Sequence, residues 1–172
     1  MSELIPVPVR VGLVIVAALI LQLSVVNRIG LFGVSGDLMV VVAVAAGYHA
    51  GPERGAIIGF ASGLAADLLI ATPMGLTALV LTGVGYVSGL VATNLIRESR
   101  LMVVFLATVM APVSVGAWIL IGALLGQTYL LHAPVLSILS VSALVAMGVI
   151  WLVSPVLGWA LADPHQRLRQ AA

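Results

Sequence analysis

The sequence predicts an all-α membrane protein of about six transmembrane helices. Three observations predict it. The chain is 62% hydrophobic and 8% charged, with a mean hydropathy of +1.27, whereas soluble domains carry about 25% charged residues. Its apolar residues fall into six runs broken by glycine, proline or charge. All seven cations are arginines, and they sit at the ends of those runs. Spans use nearly all of the 172 residues, which leaves one polytopic domain, 1–172, and no room for a soluble one. Without a basic cluster the net charge of +1 gives no reason to expect nucleic acid. The absence of cysteine excludes disulfides, thiolate metal sites and thiol nucleophiles.

Helix 1 is expected from about Val9 to Val26, after Pro6 and Pro8, which suit a helix start. Only Arg10 precedes its apolar core, and Gln22-Leu23-Ser24 stands where a cleavage site would need small residues, so it reads as a retained span. Asn27-Arg28-Ile29-Gly30 breaks it, and Leu31 to Gly36 reads as a loop or partly inserted turn. Asp37 is placed to cap helix 2, Leu38 to Ala50. Gly51-Pro52-Glu53-Arg54 reads as a turn before helix 3, Gly55 to Ile70. Thr72-Pro73-Met74-Gly75 ends that helix, because proline disfavours helical geometry in the residue before it. Helix 4 is Leu76 to Ile96, followed by the charged loop Arg97-Glu98-Ser99-Arg100. Helix 5 runs from Leu101 to Leu125 with Pro112 as an expected kink. After a loop from Gly126 to Pro134, helix 6 covers Val135 to Leu161, with a bend expected near Ser154-Pro155, and a polar tail, 162–172, follows.

Helices 2 and 3 fall short of the roughly 20 residues a perpendicular span needs. Six spans would put Arg10, Arg54, Arg97, Arg100, Arg167 and Arg169 on one side and Arg28 alone on the other. That bias predicts a multi-pass inner-membrane protein with both termini cytoplasmic. Trp151, Trp159 and Tyr129 suit interfacial anchors and equally suit ordinary packing. No solenoid or inverted repeat stands out.

Helix 3 carries the most informative pattern. Gly55, Gly59 and Gly63 recur every fourth residue, and Asp67 continues the spacing. Residues four apart share a helix face, and glycine there admits a second helix closely. An acid at membrane depth is retained for structure or function. Asp67 is therefore either a packing residue, bonded to a neighbouring helix end or hydroxyl, or an ion or substrate ligand. Ala78, Thr82, Gly85, Gly89 and Thr93 form a second small-residue stripe, on helix 4. A tight hairpin about Pro73-Met74-Gly75 is expected, and its stripes serve chain packing or a partner interface equally well. The sequence suggests no catalytic set. His49, His132 and His165 lie far apart, with no HxxxH or HExxH pair and hence no predicted metal site. No GxSxG elbow is present, and Gly83-Val84-Gly85-Tyr86 lacks the strand and lysine of a phosphate loop. No cofactor is expected.

Three segments together resemble a known family. They are Gly59-Phe60-Ala61-Ser62-Gly63-Leu64-Ala65-Ala66-Asp67-Leu68-Leu69, Pro73-Met74-Gly75-Leu76-Thr77-Ala78-Leu79 and Val84-Gly85-Tyr86-Val87-Ser88-Gly89. Their order and spacing resemble the rod shape-determining protein MreD family over roughly a quarter of the chain. The resemblance implies a non-enzymatic component of the bacterial cell-elongation machinery. Such a component binds the single-span scaffold MreC and through it links MreB filaments to the peptidoglycan polymerase RodA and its transpeptidase partner. It also implies a fold similar to the substrate-binding subunits of energy-coupling-factor transporters. The charged or aromatic-rich cytoplasmic ends of many relatives are missing here. Gly55, Gly59, Gly63, Asp67, Pro73, Gly75, Gly85 and Gly89 are the expected packing or partner-interface residues. Arg54, Arg97 and Arg100 are expected to meet partners or lipid headgroups, or only to set topology.

The alternative reading is the substrate-binding subunit of a vitamin or metal transporter. It needs a polar pocket on the outer side, for which Ser35, Asp37, Gln127, Thr128, Tyr129 and His132 are the available groups. A proton-coupled carrier using Asp67 lacks a visible partner residue.

Overall fold

The computed structural model describes residues 6–26, 37–69, 75–94, 100–124 and 135–161. Six α-helices make up almost all of them: α1 Val7–Leu21, α2 Leu38–Ala50, α3 Pro52–Leu69, α4 Leu76–Asn94, α5 Arg100–Leu124 and α6 Val135–Leu161. A π-helical turn, Gln22–Val26, extends α1. The expected loops at 27–36, 70–74, 95–99 and 125–134, and the tail, lie outside the described residues. With them lie Arg28, Pro73, Arg97, Tyr129, His132, His165, Arg167 and Arg169.

Four stretches are long and apolar enough to cross a bilayer: Val7–Ser24, Leu76–Asn94, Leu101–Leu124 and Ile138–Leu161. The chain is therefore an all-helical membrane protein. The remaining two helices differ from these for separate reasons. At 18 residues α3 is nearly long enough, but it carries Glu53, Arg54 and Asp67. The 13 residues of α2 rise only about 20 Å, against a hydrocarbon core of about 30 Å.

That short helix is the centre of the molecule. Every residue from Leu38 to Tyr48 is buried, and α2 packs against all five other helices. Its sequence is apolar on every side, as suits a helix with no solvent or lipid face. The longer helices surround it, with α3 on α4, α4 on α5, α5 on α6 and α6 on α1.

Three element starts differ from the sequence expectation. α1 begins at Val7 rather than Val9, so that Pro8 lies inside its first turn, where proline is tolerated. Pro52 and the two charged residues after it belong to α3, and the turn before it is Gly51 alone. Proline at the first helical position loses no hydrogen bond, since that N–H has no intrahelical acceptor. Gly51 makes the corner with φ +86°, a conformation side-chain-bearing residues rarely adopt. Its N–H donates to Gly47 O at 2.9 Å, and its carbonyl accepts from Gly55 N at 2.9 Å. Arg100, expected in a loop, opens α5. Pro112 and Pro155 lie within continuous helices, where each leaves the carbonyl four residues earlier without its usual donor.

Candidate functional site

The spacing on α3 becomes an antiparallel ladder. A Cβ on Gly55 would lie 2.5 Å from Gly47 Cα and 2.6 Å from Gly85 O. One on Gly59 would strike the Leu81 carbonyl, and one on Gly63 would lie 2.5 Å from Ala78 Cα. From α4, Gly85 faces the Gly55 carbonyl and Gly89 faces Pro52. Each step of four along α3 thus matches a step of about four back along α4. Gly47 joins from α2, where a Cβ would meet Gly85 O and would lie 2.9 Å from Gly89 N. Three backbones touch at a depth where any side chain would separate them.

The hydroxyls along this contact mostly bond within their own helices. Ser62 Oγ donates to Gly59 O at 2.9 Å, Thr82 Oγ1 to Ala78 O at 2.6 Å and Thr93 Oγ1 to Gly89 O at 3.1 Å. Ser88 is the exception: it is 0% exposed, and its Oγ has no hydrogen-bond partner.

At the closed end of the hairpin, Asp67 is 4% exposed. Its Oδ2 accepts the Gly75 N–H at 3.0 Å and the Ala78 N–H at 3.2 Å. Gly75 precedes the first residue of α4, and Ala78 is the third, so one oxygen takes two of the four N–H groups a helix start leaves without acceptors. A carboxylate also suits the positive end of the helix dipole. Gly75 has φ +96°, which opens the turn into α4. Of the expected site residues, Gly55, Gly59, Gly63, Asp67, Gly75, Gly85 and Gly89 therefore come together around the α3–α4 contact. Thr93, on the α4 stripe, is exposed.

A second acid caps a second helix at the same end of the bundle. Asp37 Oδ1 accepts the Met39 N–H at 2.9 Å, and the carboxylate also receives hydrogen bonds from Val40 N–H and the Gln22 side chain. Gln22 opens the π-helical turn, is 8% exposed, and leaves its Oε1 buried with no partner. Both residues line a cavity of about 310 Å³ with Thr77, Ser114 and Trp118.

The described arginines mark the opposite end. Arg10 is buried in the first turn of α1, its guanidinium 5.6 Å from the centre of the Trp159 ring. Arg54 is exposed in the first turn of α3, and Arg100 begins α5. His49, near the end of α2, shares a 3.1 Å hydrogen bond with Ser154 of α6. Among the described residues no three His, Asp or Glu side chains gather in a way that could hold a metal.

Sequence reasoning missed two participants. Gly47 lies four residues before Gly51 and extends the α3 spacing backwards, a usable signal. Gln22 is a lone amide at the end of an apolar run, and only the fold pairs it with Asp37.

Fold and site together define a helical membrane protein with several helices of membrane-spanning length and a glycine-packed helix contact. No family model, curated protein or solved structure matches the chain.

Proposed function

We propose that the chain is a non-enzymatic docking subunit of the bacterial cell-elongation machinery in the inner membrane. It binds an MreC-like scaffold and, through it, associates with MreB, RodA and the transpeptidase partner of RodA. The observation that supports this reading is the use made of the residues that carry the MreD resemblance. Gly59, Gly63, Gly85 and Gly89 hold the α3–α4 backbones together, and Asp67 closes the hairpin onto Gly75 and Ala78. The motif is thus a framework for presenting a surface. Because the glycine faces hold the chain's own helices, a partner helix meets the outer face of the hairpin, where Ile57, Phe60 and Tyr86 are exposed. On this reading Arg54, Arg97 and Arg100 belong to the cytoplasmic side, where they meet partners or anionic headgroups or only set topology. The fold expected on this reading is that of energy-coupling-factor substrate-binding subunits.

Co-purification from native membranes in mild detergent tests the proposal. The expected result is recovery of an MreC-like scaffold and the polymerase–transpeptidase pair, reduced by Phe60→Ala and Tyr86→Ala at unchanged abundance. Recovery of an ATPase-containing transport module instead would overturn it. Asp67→Asn should lower abundance or partner binding, as befits a framework residue.

A further inference from the structure

The cavity at the Asp37 end of α2 has the makings of a ligand site, whatever complex the chain belongs to. It is a partly open cavity lined by residues of α2, α3, α4 and α5 and by Gln22. Ser114, on its wall, is ten residues before the end of α5, which places it about 15 Å in from that end. Three of its polar groups can act as acceptors, beside the Thr77 hydroxyl and the Trp118 indole N–H that also line it. The Asp37 carboxylate only accepts hydrogen bonds when ionised. Gln22 uses its amide N–H toward Asp37 and leaves Oε1 buried and unbonded. Ser114 Oγ already donates its proton to Ala111 O at 2.7 Å, so it too offers only lone pairs. Asp37, Gln22 and Ser114 thus bring three acceptors to one cavity, where the unbonded Gln22 carbonyl oxygen is costly.

Apolar side chains, Val80 and Leu81 among them, and the Trp118 ring make up much of the described wall. The volume, about 310 Å³, lies at the lower end for small-molecule sites, which combine apolar walls with a few convergent polar groups. The π-helical turn that begins at Gln22 is a distortion often found at functional sites.

We propose that this cavity binds a small organic cation, with a primary ammonium group seated between Asp37 and Gln22 Oε1 and an apolar body against Val80, Leu81 and Trp118. An ammonium supplies three donors to the acceptors present, and an aromatic wall favours a cation further.

The test uses the full chain in nanodiscs, with Trp151→Phe and Trp159→Phe so that Trp118 alone reports. Hexylamine and phenethylamine are titrated against hexanol and phenethyl alcohol, with native mass spectrometry as a second readout. The expected result is saturable fluorescence change and mass addition with the amines, and binding at least about tenfold weaker with the alcohols. Asp37→Asn and Gln22→Leu should each weaken amine binding by about tenfold or more, the scale of one hydrogen bond to a charged group. Asparagine is as good a helix cap as aspartate, so Asp37→Asn retains α2. Leucine fills a similar volume, so Gln22→Leu removes the oxygen, and with it the N–H toward Asp37, in a folded chain. Equal binding of amines and alcohols, undiminished binding by both variants, or no saturable amine binding by a protein of normal melting temperature would overturn the proposal.

Discussion

Asp67→Ala is expected to be among the most damaging single polar substitutions in this chain, and Asp67→Asn much milder. The carboxylate accepts two backbone N–H groups, from Gly75 at 3.0 Å and Ala78 at 3.2 Å. Alanine leaves both donors without an acceptor at a position only 4% exposed. A buried backbone group so abandoned costs about 1–3 kcal/mol, and loss of a negative charge at a helix start adds about 0.3–1 kcal/mol. For two such groups the total is about 2–7 kcal/mol. Interhelical side-chain hydrogen bonds in bilayers can average as little as about 0.6 kcal/mol, because the unfolded chain finds other partners there. Here the donors are helix-start N–H groups, which makes the low figure a floor for each bond. Asparagine keeps a carbonyl oxygen in place and loses only the charge assistance, roughly half of each bond's strength, for a cost of about 1–2 kcal/mol. Reversible unfolding in mixed SDS micelles, followed by tryptophan fluorescence, measures both. Hydrogen exchange at Gly75 and Ala78 locates the effect, which should rise there before it rises in α5 or α6. An alanine cost under about 1 kcal/mol, or equal costs for the two variants, would refute the capping role.

The glycine ladder and its surroundings give three further expectations. Gly59→Ala drives a methyl into the Leu81 carbonyl and should cost at least about 2 kcal/mol in the same assay; Gly83→Ala, with nothing within 4 Å of the new methyl, should be neutral or stabilise by up to about 1 kcal/mol. Ser88→Ala removes a buried hydroxyl that has no partner and should leave the melting temperature unchanged or higher, whereas Ser88→Val should lower it, since Ser88 Cβ already lies beside Gly47. Gly75→Ala meets open space but must hold φ +96°, so it should cost about 1–2 kcal/mol by backbone strain alone, seen as a lower SDS midpoint with an unchanged transition slope.

The helices were readable because their apolar runs end at glycine, proline or charge, and those residues stop or start helices for local reasons. Where a local rule had two uses, it failed. Gly51-Pro52 marks a turn, yet proline also suits the first turn of a helix, and only the packing of Gly89 against Pro52 shows how early α3 begins. The spacing of Gly55, Gly59 and Gly63 identified a face and the depth of Asp67. It did not identify what the face meets, because the offset between α3 and α4 is a tertiary quantity. Asp67 reaches Gly75 and Ala78 only when that offset is right. The burial of α2 was written in its unbroken apolar run from Leu38 to Ala46, a pattern without a polar side. Its shortness for a perpendicular span was equally plain, but what surrounds so short a helix is a tertiary matter.

Seen from inside the bundle, the shortness of α2 has another consequence. A helix of about 20 Å surrounded by longer ones must end within the protein at one end at least. There its first N–H groups need an acceptor. Asp37 supplies it, and a carboxylate at that depth must itself be bonded, which draws in Gln22. At the other end of α2 the chain turns at once through Gly51 into α3, and the ladder fills the space. The shortfall therefore collects at the Asp37 end, beside Ser114 and Trp118, midway along α5 and four residues beyond. Lengthening α2 would discriminate between the uses of that space. Three alanines inserted between Asp37 and Leu38 would carry the cap about one turn outward. If the cavity is only a by-product of the short helix, this variant should fold at least as well as the parent and still recover its partners. If the cavity is a binding site, the variant should fold but lose saturable amine binding.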